Sequence, residues 1–463
     1  MGFSNKEVSA VDDDDDDNDM NQNFTNFRRN SYMESSKRVL ISECNMLIGK
    51  EVVLKGWVKK IRQLGKVGFL LLRDRTGLLQ CVLEQEQNQV KIETESVVQV
   101  TGILVKTDKT ANGVELQVSE ILVLAEADLL PFEINKKKLN VGLDHLLNHR
   151  VLSLRHEQIN AIFTIQSVFV KGFTDFLMQE GFTRIFTPKI VSQGAEGGAN
   201  VFTFNYFDKS AYLAQSPQFY KQMMVGAGFE RVFEIAPVYR AEEHNSSRHL
   251  NEYISLDVEM GFIENVEEVM EMEKRVLQYV FQYVKERCQK QLDVLQVDIP
   301  VLNEIPKMTL AEAQAILKET YQKDSPEGDL NTEGEKCIGN YVKYKYGSDF
   351  VFITNYPRAT RPMYTMPNKE NPELTDSFDL LYKGSEITSG GQRIHRKGEL
   401  IASFREKGLN PNEFKAYIDS FAYAIPPHGG FGIGLERIIM KFLNLGNIRE
   451  ASAFPRDCDR LIP

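Results

Sequence analysis

The chain has 463 residues, of which 42% are hydrophobic, 26% charged and 10% aromatic, and its formal net charge is −10. That mix fits a folded protein of two or three domains with an ample core; it excludes fibres, wholly disordered chains and proteins that coat nucleic acid through bulk positive charge. No apolar run approaches the roughly 18 residues that cross a bilayer, the acidic first thirty residues lack signal-peptide features, and five scattered cysteines form no CxxC or Cys/His cluster, so a cytoplasmic protein with free thiols, no membrane contact and no zinc is expected.

Residues 1–36 hold the run Asp12 to Asp17 and an Asn/Gln-rich stretch with little to bury, which predicts a disordered acidic tail. Its nine acids and three bases account for most of the charge, leaving −4 on the remainder. Residues 37–124 contain short β-rich runs such as Glu51-Val-Val-Leu-Lys-Gly-Trp-Val58, Val67-Gly-Phe-Leu-Leu-Leu72 and Leu78-Leu-Gln-Cys-Val-Leu83, separated by Gly, Asp and Thr turns. About five strands in so short a span predict a small barrel of the OB type, whose strand faces commonly stack and read single-stranded bases.

Residues 125–148, with Pro131 and Lys136 to Lys138, read as a hinge. A larger module spans 149–463. Its first element, 156–180, places Ile159, Ile162, Phe163, Val170, Phe173, Phe176 and Leu177 at helical spacing and predicts an amphipathic helix. Strand-period segments follow at 182–188, 231–239 and 253–259, and 266–291 returns to helix. Strands without regular βαβ alternation predict an α+β module on an antiparallel sheet. No internal repeat is visible.

Three segments of this module carry chemistry. The first, Gly181-Phe-Thr-Arg-Ile-Phe-Thr-Pro188, is a helix-to-strand junction ending in proline. The second runs from Phe233 through Arg240-Ala-Glu242, a polar loop and Arg248-His249-Leu250-Asn-Glu-Tyr253; a strand–loop–strand presenting these cations suits a triphosphate, because fixed positive charge neutralises charge that shifts during attack at phosphorus. The third, Gly429-Gly-Phe-Gly-Ile-Gly434-Leu435-Glu436-Arg437, lets backbone approach a nucleotide closely and sets an arginine at a helix start; it is neither a GxxxxGK[ST] loop nor a Rossmann fingerprint.

In this order the three segments resemble the three motifs of class II aminoacyl-tRNA synthetases, and residues 38–463 are similar to the archaeal/eukaryotic-like aspartyl-tRNA synthetases, with an N-terminal OB-fold anticodon module and no room for the large bacterial-type insertion. The resemblance implies an ATP- and Mg²⁺-dependent ligase that makes aspartyl-adenylate and esterifies the 3′ end of tRNA(Asp), acting as a homodimer through the first motif. It implies that Arg240 and Arg437 are catalytic, with Arg240 on the α-phosphate and the amino-acid carboxylate. It assigns ATP to Arg240, Glu242, Arg248, His249, Leu250, Tyr253, Glu386, Gly434, Leu435, Glu436 and Arg437, with Tyr253 standing where a Phe is usual. Aspartate falls to Glu196, Gln218, Lys221, Arg240, Ser389 and Arg393, where Lys221 and Arg393 take the β-carboxylate.

Glu386 and Ser389 match the family's Mg²⁺ ligands, and Asp379 is a third candidate. Few hard oxygen ligands suit a metal that shares its shell with water and phosphate. Glu196 matches a lid over bound aspartate, though Asn200 stands where the family's second acid is usual. In the barrel, Phe69 and Gln80 match an aromatic platform and a polar reader for the central anticodon base. Lys59, at a position linked to the third anticodon base, leaves charging of tRNA(Asn) open. An asparaginyl enzyme and a synthetase-like paralogue with a binding or regulatory role are the remaining alternatives; intact phosphate-handling residues weigh against the paralogue.

Overall fold

A computed structural model describes residues 38–65, 67–84, 92–110, 112–194, 200–243 and 246–463. The acidic tail therefore lies outside the described residues, as does Glu196. The chain divides into two units between Leu139 and Asn140.

In the first unit a short 3-10 helix, Ile41–Leu47, precedes five strands: β1 (Glu51–Leu64), β2 (Val67–Arg73), β3 (Leu78–Leu83), β4 (Val97–Lys106) and β5 (Val114–Ala125). They close into a barrel in the order β1-β2-β3-β5-β4. Strict alternation drives closure: Leu70, Leu72, Leu79, Cys81 and Leu83 point inward and are buried, while Phe69, Leu71, Gln80 and Val82 between them remain partly exposed. The tightly wound β1 accommodates a bulge between Val58 and Lys60, so Lys59 is the extra residue. Asp74 stabilises the β2–β3 turn by accepting Thr76 and Gly77 N–H groups, at 2.7 and 3.1 Å.

The second unit contains α1 (Glu157–Gln179), β6 (Thr183–Arg184), β7 (Ile190–Val191), β8 (Thr203–Tyr206), β9 (Lys209–Leu213), α2 (Gln218–Met224), β10 (Arg231–Tyr239), β11 (Glu252–Gly261) and α3 (Val266–Arg287). There follow β12 (Lys307–Thr309), α4 (Thr332–Tyr346), β13 (Phe350–Thr354), β14 (Ser377–Tyr382), β15 (Glu386–Arg393), β16 (His428–Gly434) and α5 (Leu435–Phe442). Eight strands form one sheet in the order β12-β13-β14-β15-β16-β11-β10-β6. Its pairs are antiparallel except the two outermost, β12–β13 and β10–β6. β7, β9 and β8 make a separate small sheet.

The core lies between this sheet and α1 with α3. On α1, Ile162, Ile165, Phe169, Phe173 and Phe176 recur every three or four residues and are buried. Phe169 meets Phe281 of α3 edge-on at 5.9 Å, and Phe173 meets Phe233 of β10 at 6.2 Å. Gly172 allows the helices to approach: a Cβ there would lie 3.1 Å from the Tyr283 ring. α3 starts where the Asn265 side chain accepts the Glu267 N–H at 3.0 Å.

By length and average hydropathy alone α1 resembles a membrane-spanning helix, but polar residues interrupt its apolar ones, and its apolar face packs on α3 and the sheet. Two expectations need correction. The segment 182–188 is a strand only at Thr183–Arg184, because beyond it the Glu234 side chain, not a strand, receives the Thr187 N–H at 2.8 Å. The helix from Val266 stops at Arg287, breaks at Cys288 and resumes over Gln289–Leu295.

Candidate active site

A cavity of about 280 Å³ opens on the sheet, lined by residues of α2, β10–β11, β15, β16 and α5. At one end sits the turn between β10 and β11. Arg240 follows β10 directly, and Asn251 ties the loop across itself: its Nδ2 donates to the carbonyls of Arg240 and Glu242 at 2.6 and 2.9 Å. The Arg240 guanidinium lies 5.8 Å from the Tyr253 ring and 3.8 Å from the Glu242 carboxylate. Arg248 donates to Glu335 at 2.9 Å, and the other Glu335 oxygen accepts the Glu386 N–H at 3.0 Å. His249 and Leu250 line the same wall.

The glycine strand β16 is the floor. It pairs Gly432 with Asp257 and Gly430 with Glu259 on β11. A Cβ on Gly430 would lie 2.1 Å from the Val258 carbonyl oxygen and 2.4 Å from Glu259 Oε2, so only glycine fits beside that acid. At the end of the strand Gly434 opens α5. Glu436 is buried, accepts the Ile254 N–H at 3.0 Å, and has its carboxyl pushed up to about 7 by burial. Arg437 donates to the Glu386 carbonyl at 3.1 Å.

Deeper in the cavity two cations meet two acids. Lys221 Nζ lies 2.9 Å from Asp257 Oδ1 and 3.3 Å from Glu259 Oε2. Arg393 donates through Nε to Glu259 Oε1 at 3.1 Å and through Nη2 to the Gly430 carbonyl at 2.9 Å. Gln218 donates to Glu259 Oε2 at 3.4 Å. Burial alone would raise the Glu259 carboxyl, yet Arg393 and Lys221 hold it below the usual carboxylate range. Asp257 Oδ2 is buried without a hydrogen-bond partner on the cavity wall.

Behind this quartet, His428 Nε2 accepts from Gln222 Nε2 at 2.8 Å and His428 Nδ1 donates to the Pro426 carbonyl at 2.8 Å, the tautomer that these neighbours select. Gln222 Oε1 accepts from the Tyr417 hydroxyl at 2.9 Å. Burial pushes the His428 imidazole down to about 4, so it stays neutral and leaves the charge balance to the quartet.

Glu386 and Ser389 face the cavity, and Ser389 Oγ donates to Glu386 Oε1 at 3.0 Å. Burial and the nearby Asp379 raise the Glu386 carboxyl above its usual range, with Arg437 opposing. Asp379 itself is buried on β14 and gives Oδ2 to Arg361 at 2.7 Å; it is not among the cavity-lining residues. Asn200 adopts φ +57°, a left-handed conformation that asparagine tolerates, and its carbonyl accepts the Ala241 N–H at 2.8 Å.

Sequence reasoning missed Asp257, Glu259 and Arg361. The first two had a visible signal, since Ser255, Asp257 and Glu259 alternate with apolar residues along β11. Arg361 had none: it lies in a loop, and only the fold sets it on the Tyr356 ring at 3.6 Å and against Asp379. On the barrel, Phe69 pairs across with Val82 and Gln80 with Leu71, so both lie on one partly exposed face. Gln80 donates to Glu115 at 3.0 Å.

Residues 143–458 match the family model of tRNA synthetases class II (D, K and N), and residues 52–124 match that of the OB-fold nucleic acid binding domain. A Thermus thermophilus protein named aspartate–tRNA(Asp/Asn) ligase is 47% identical, over 92% of this chain and 100% of its own length. A Pyrococcus horikoshii protein named aspartate–tRNA(Asp) ligase is 44% identical, over 90% of this chain and 97% of its own. The crystal structure of the asparaginyl-tRNA synthetase of Pyrococcus horikoshii with asparaginyl-adenylate superposes with a TM-score of 0.86 at 29% identity, covering 92% of this chain and 100% of that one. With an OB barrel ahead of an eight-stranded sheet, and arginines of two strand–loop motifs converging on one cavity, this chain belongs to the class II tRNA synthetases of the aspartate, lysine and asparagine group.

Proposed function

We propose that the chain is an aspartate–tRNA ligase: it condenses L-aspartate with ATP to aspartyl-adenylate and diphosphate, then transfers the aspartyl group to the 3′ end of tRNA(Asp). The observation that carries this reading is the buried quartet of Lys221, Arg393, Asp257 and Glu259, two cations against two acids. Asp257 Oδ2 is placed to accept the substrate's ammonium group. Lys221 and Arg393 are then left facing its β-carboxylate, with Glu259 holding both in position and Gln218 beside them. Asparagine offers no second carboxylate, so with Asp257 given to the ammonium group one of the two positive charges stays uncompensated in a buried site. The fold by itself does not separate the two amino acids, since the asparaginyl relative shares it.

In the first step the α-carboxylate attacks the α-phosphorus in line and diphosphate leaves. Arg240 bridges carboxylate and α-phosphate, Arg248, His249 and Arg437 hold the outer phosphates, and Tyr253 stacks on adenine while Glu242 reads its amino group. Gly434, Glu436 and Leu250 shape the wall beside it, with Leu435 in the core behind them. In the second step the terminal ribose hydroxyl attacks the mixed anhydride and AMP leaves. Both steps depend on positioning and fixed charge, with no protein nucleophile. The oxygen donors of Glu386 and Ser389 fit Mg²⁺, which when bound neutralises phosphate charge; Asp379, whose Oδ2 is paired with Arg361 while its Oδ1 is buried without a hydrogen-bond partner, is the third candidate.

On the barrel, Phe69 would stack the central anticodon base, Gln80 would read its edge, and Lys59 would face the third base. We assign tRNA charging to the cytosol and a homodimer to the segment after β6. There Phe186 is 81% exposed, an apolar side chain that a second copy would cover. Charging purified tRNA(Asp) and tRNA(Asn) with labelled aspartate tests the reading. Aspartate on tRNA(Asp) is expected, and tRNA(Asn) reports whether Lys59 permits both; a folded protein that charges neither overturns it.

A further inference from the structure

The β14–β15 turn gathers three lysines that make no ion pair within 4 Å of an acid among the described residues. Lys383 is in the turn, Lys336 on α4 and Lys441 on α5. The turn meets α4 backbone to backbone: a Cβ on Gly384 would lie 2.8 Å from Lys336 Cα, and one on Gly339 would lie 2.6 Å from Gly384 Cα. Lys383 Nζ donates to the Lys441 carbonyl at 3.3 Å and to Asn444 Oδ1 at 2.8 Å.

The acids nearby are engaged elsewhere, Glu335 by Arg248 and Asp349 by Lys343, each at 2.9 Å. Burial, then the charges of Arg248, Lys336 and Lys383, depress the Lys441 ammonium against the pull of Glu335; burial and Lys343 do the same to Lys383 against the pull of Asp349. Like charges crowded into a half-buried place destabilise the fold unless an anion completes them. Because Arg248 lines the cavity, the cluster continues the cavity's phosphate end onto the surface.

We propose that Lys336, Lys383 and Lys441 form a phosphate-binding shelf beside the outer end of the cavity, which takes either free diphosphate on its way out or backbone phosphates of bound tRNA. The location relative to the reaction rests on the ligase reading above; the shelf itself does not.

The test uses the full chain and the double variant Lys383→Gln/Lys441→Gln, with the exposed single change Lys336→Gln as a second variant should the double one fail to fold. Calorimetric titration with inorganic diphosphate at low salt and anisotropy of labelled tRNA over a salt series are compared with the unaltered chain. A diphosphate dissociation constant raised about tenfold assigns the shelf to the leaving group. A slope of log affinity against log salt reduced by about one per lysine removed assigns it to tRNA. Folded variants that leave both quantities unchanged overturn the shelf. An unaltered chain that binds diphosphate through these lysines but shows no aspartate-dependent exchange overturns the ligase reading and keeps the shelf.

Discussion

Replacing Lys221 with methionine removes the single ammonium shared by both acids of β11, at 2.9 and 3.3 Å, while keeping an unbranched stem of similar length. A charge-assisted hydrogen bond from Lys221 to the substrate's β-carboxylate is worth about 1.5 to 3 kcal/mol. Its loss also unmasks Asp257 and Glu259, and one such carboxylate about 5 Å from an incoming one costs about 3 kcal/mol at an effective dielectric near 20. Together these effects amount to about 5 kcal/mol, or a fall in kcat/KM for aspartate on the order of 10³ to 10⁴. Asparagine places no charge there and loses little, so the preference for aspartate collapses. The assay is amino-acid-dependent ATP–diphosphate exchange well below the melting temperature, because breaking a buried pair also destabilises by about 3 to 5 kcal/mol. A folded Lys221→Met protein whose kcat/KM for aspartate stays within about tenfold of the unaltered chain would refute the reasoning.

Glu273 on α3 is fully buried and its carboxyl is pushed up to about 8 by burial, with Thr388 opposing and Asp379 adding to the shift. The folded state therefore holds the proton more tightly than the unfolded chain, and stability present below pH 4.5 is lost as pH rises towards 8, by up to about 5 kcal/mol. Glu273→Gln should thus melt higher than the unaltered chain at pH 8, with the gap closing near pH 5; a pH-independent gap contradicts this. Glu386→Gln should weaken Mn²⁺ binding, followed by electron paramagnetic resonance, by about tenfold or more; unchanged binding would move the metal elsewhere. Phe69→Ala should raise the KM for tRNA about 5- to 100-fold, as expected for one stacked base, while leaving diphosphate exchange intact. A change in exchange instead would show that Phe69 is not confined to tRNA binding.

Much of this organisation is legible in the chain because it depends on local periodicity. The buried residues of α1 recur at helical spacing, and the barrel strands alternate cleanly, so both elements follow from pattern alone. The phosphate arginines and Lys221 are readable only through their place in motifs. What escaped depends on partners far apart in sequence: Arg393 meets Glu259 across 134 positions, and Arg361 captures Asp379 from a loop.

The central claim is that charge opposite Lys221 and Arg393 selects the amino acid. Its most direct test is the ratio of kcat/KM for aspartate over asparagine in ATP–diphosphate exchange by the purified full chain. The account predicts robust exchange with aspartate and a ratio of at least about 10³, as expected for rejection by buried, unpaired charged groups. Comparable exchange with asparagine would contradict it.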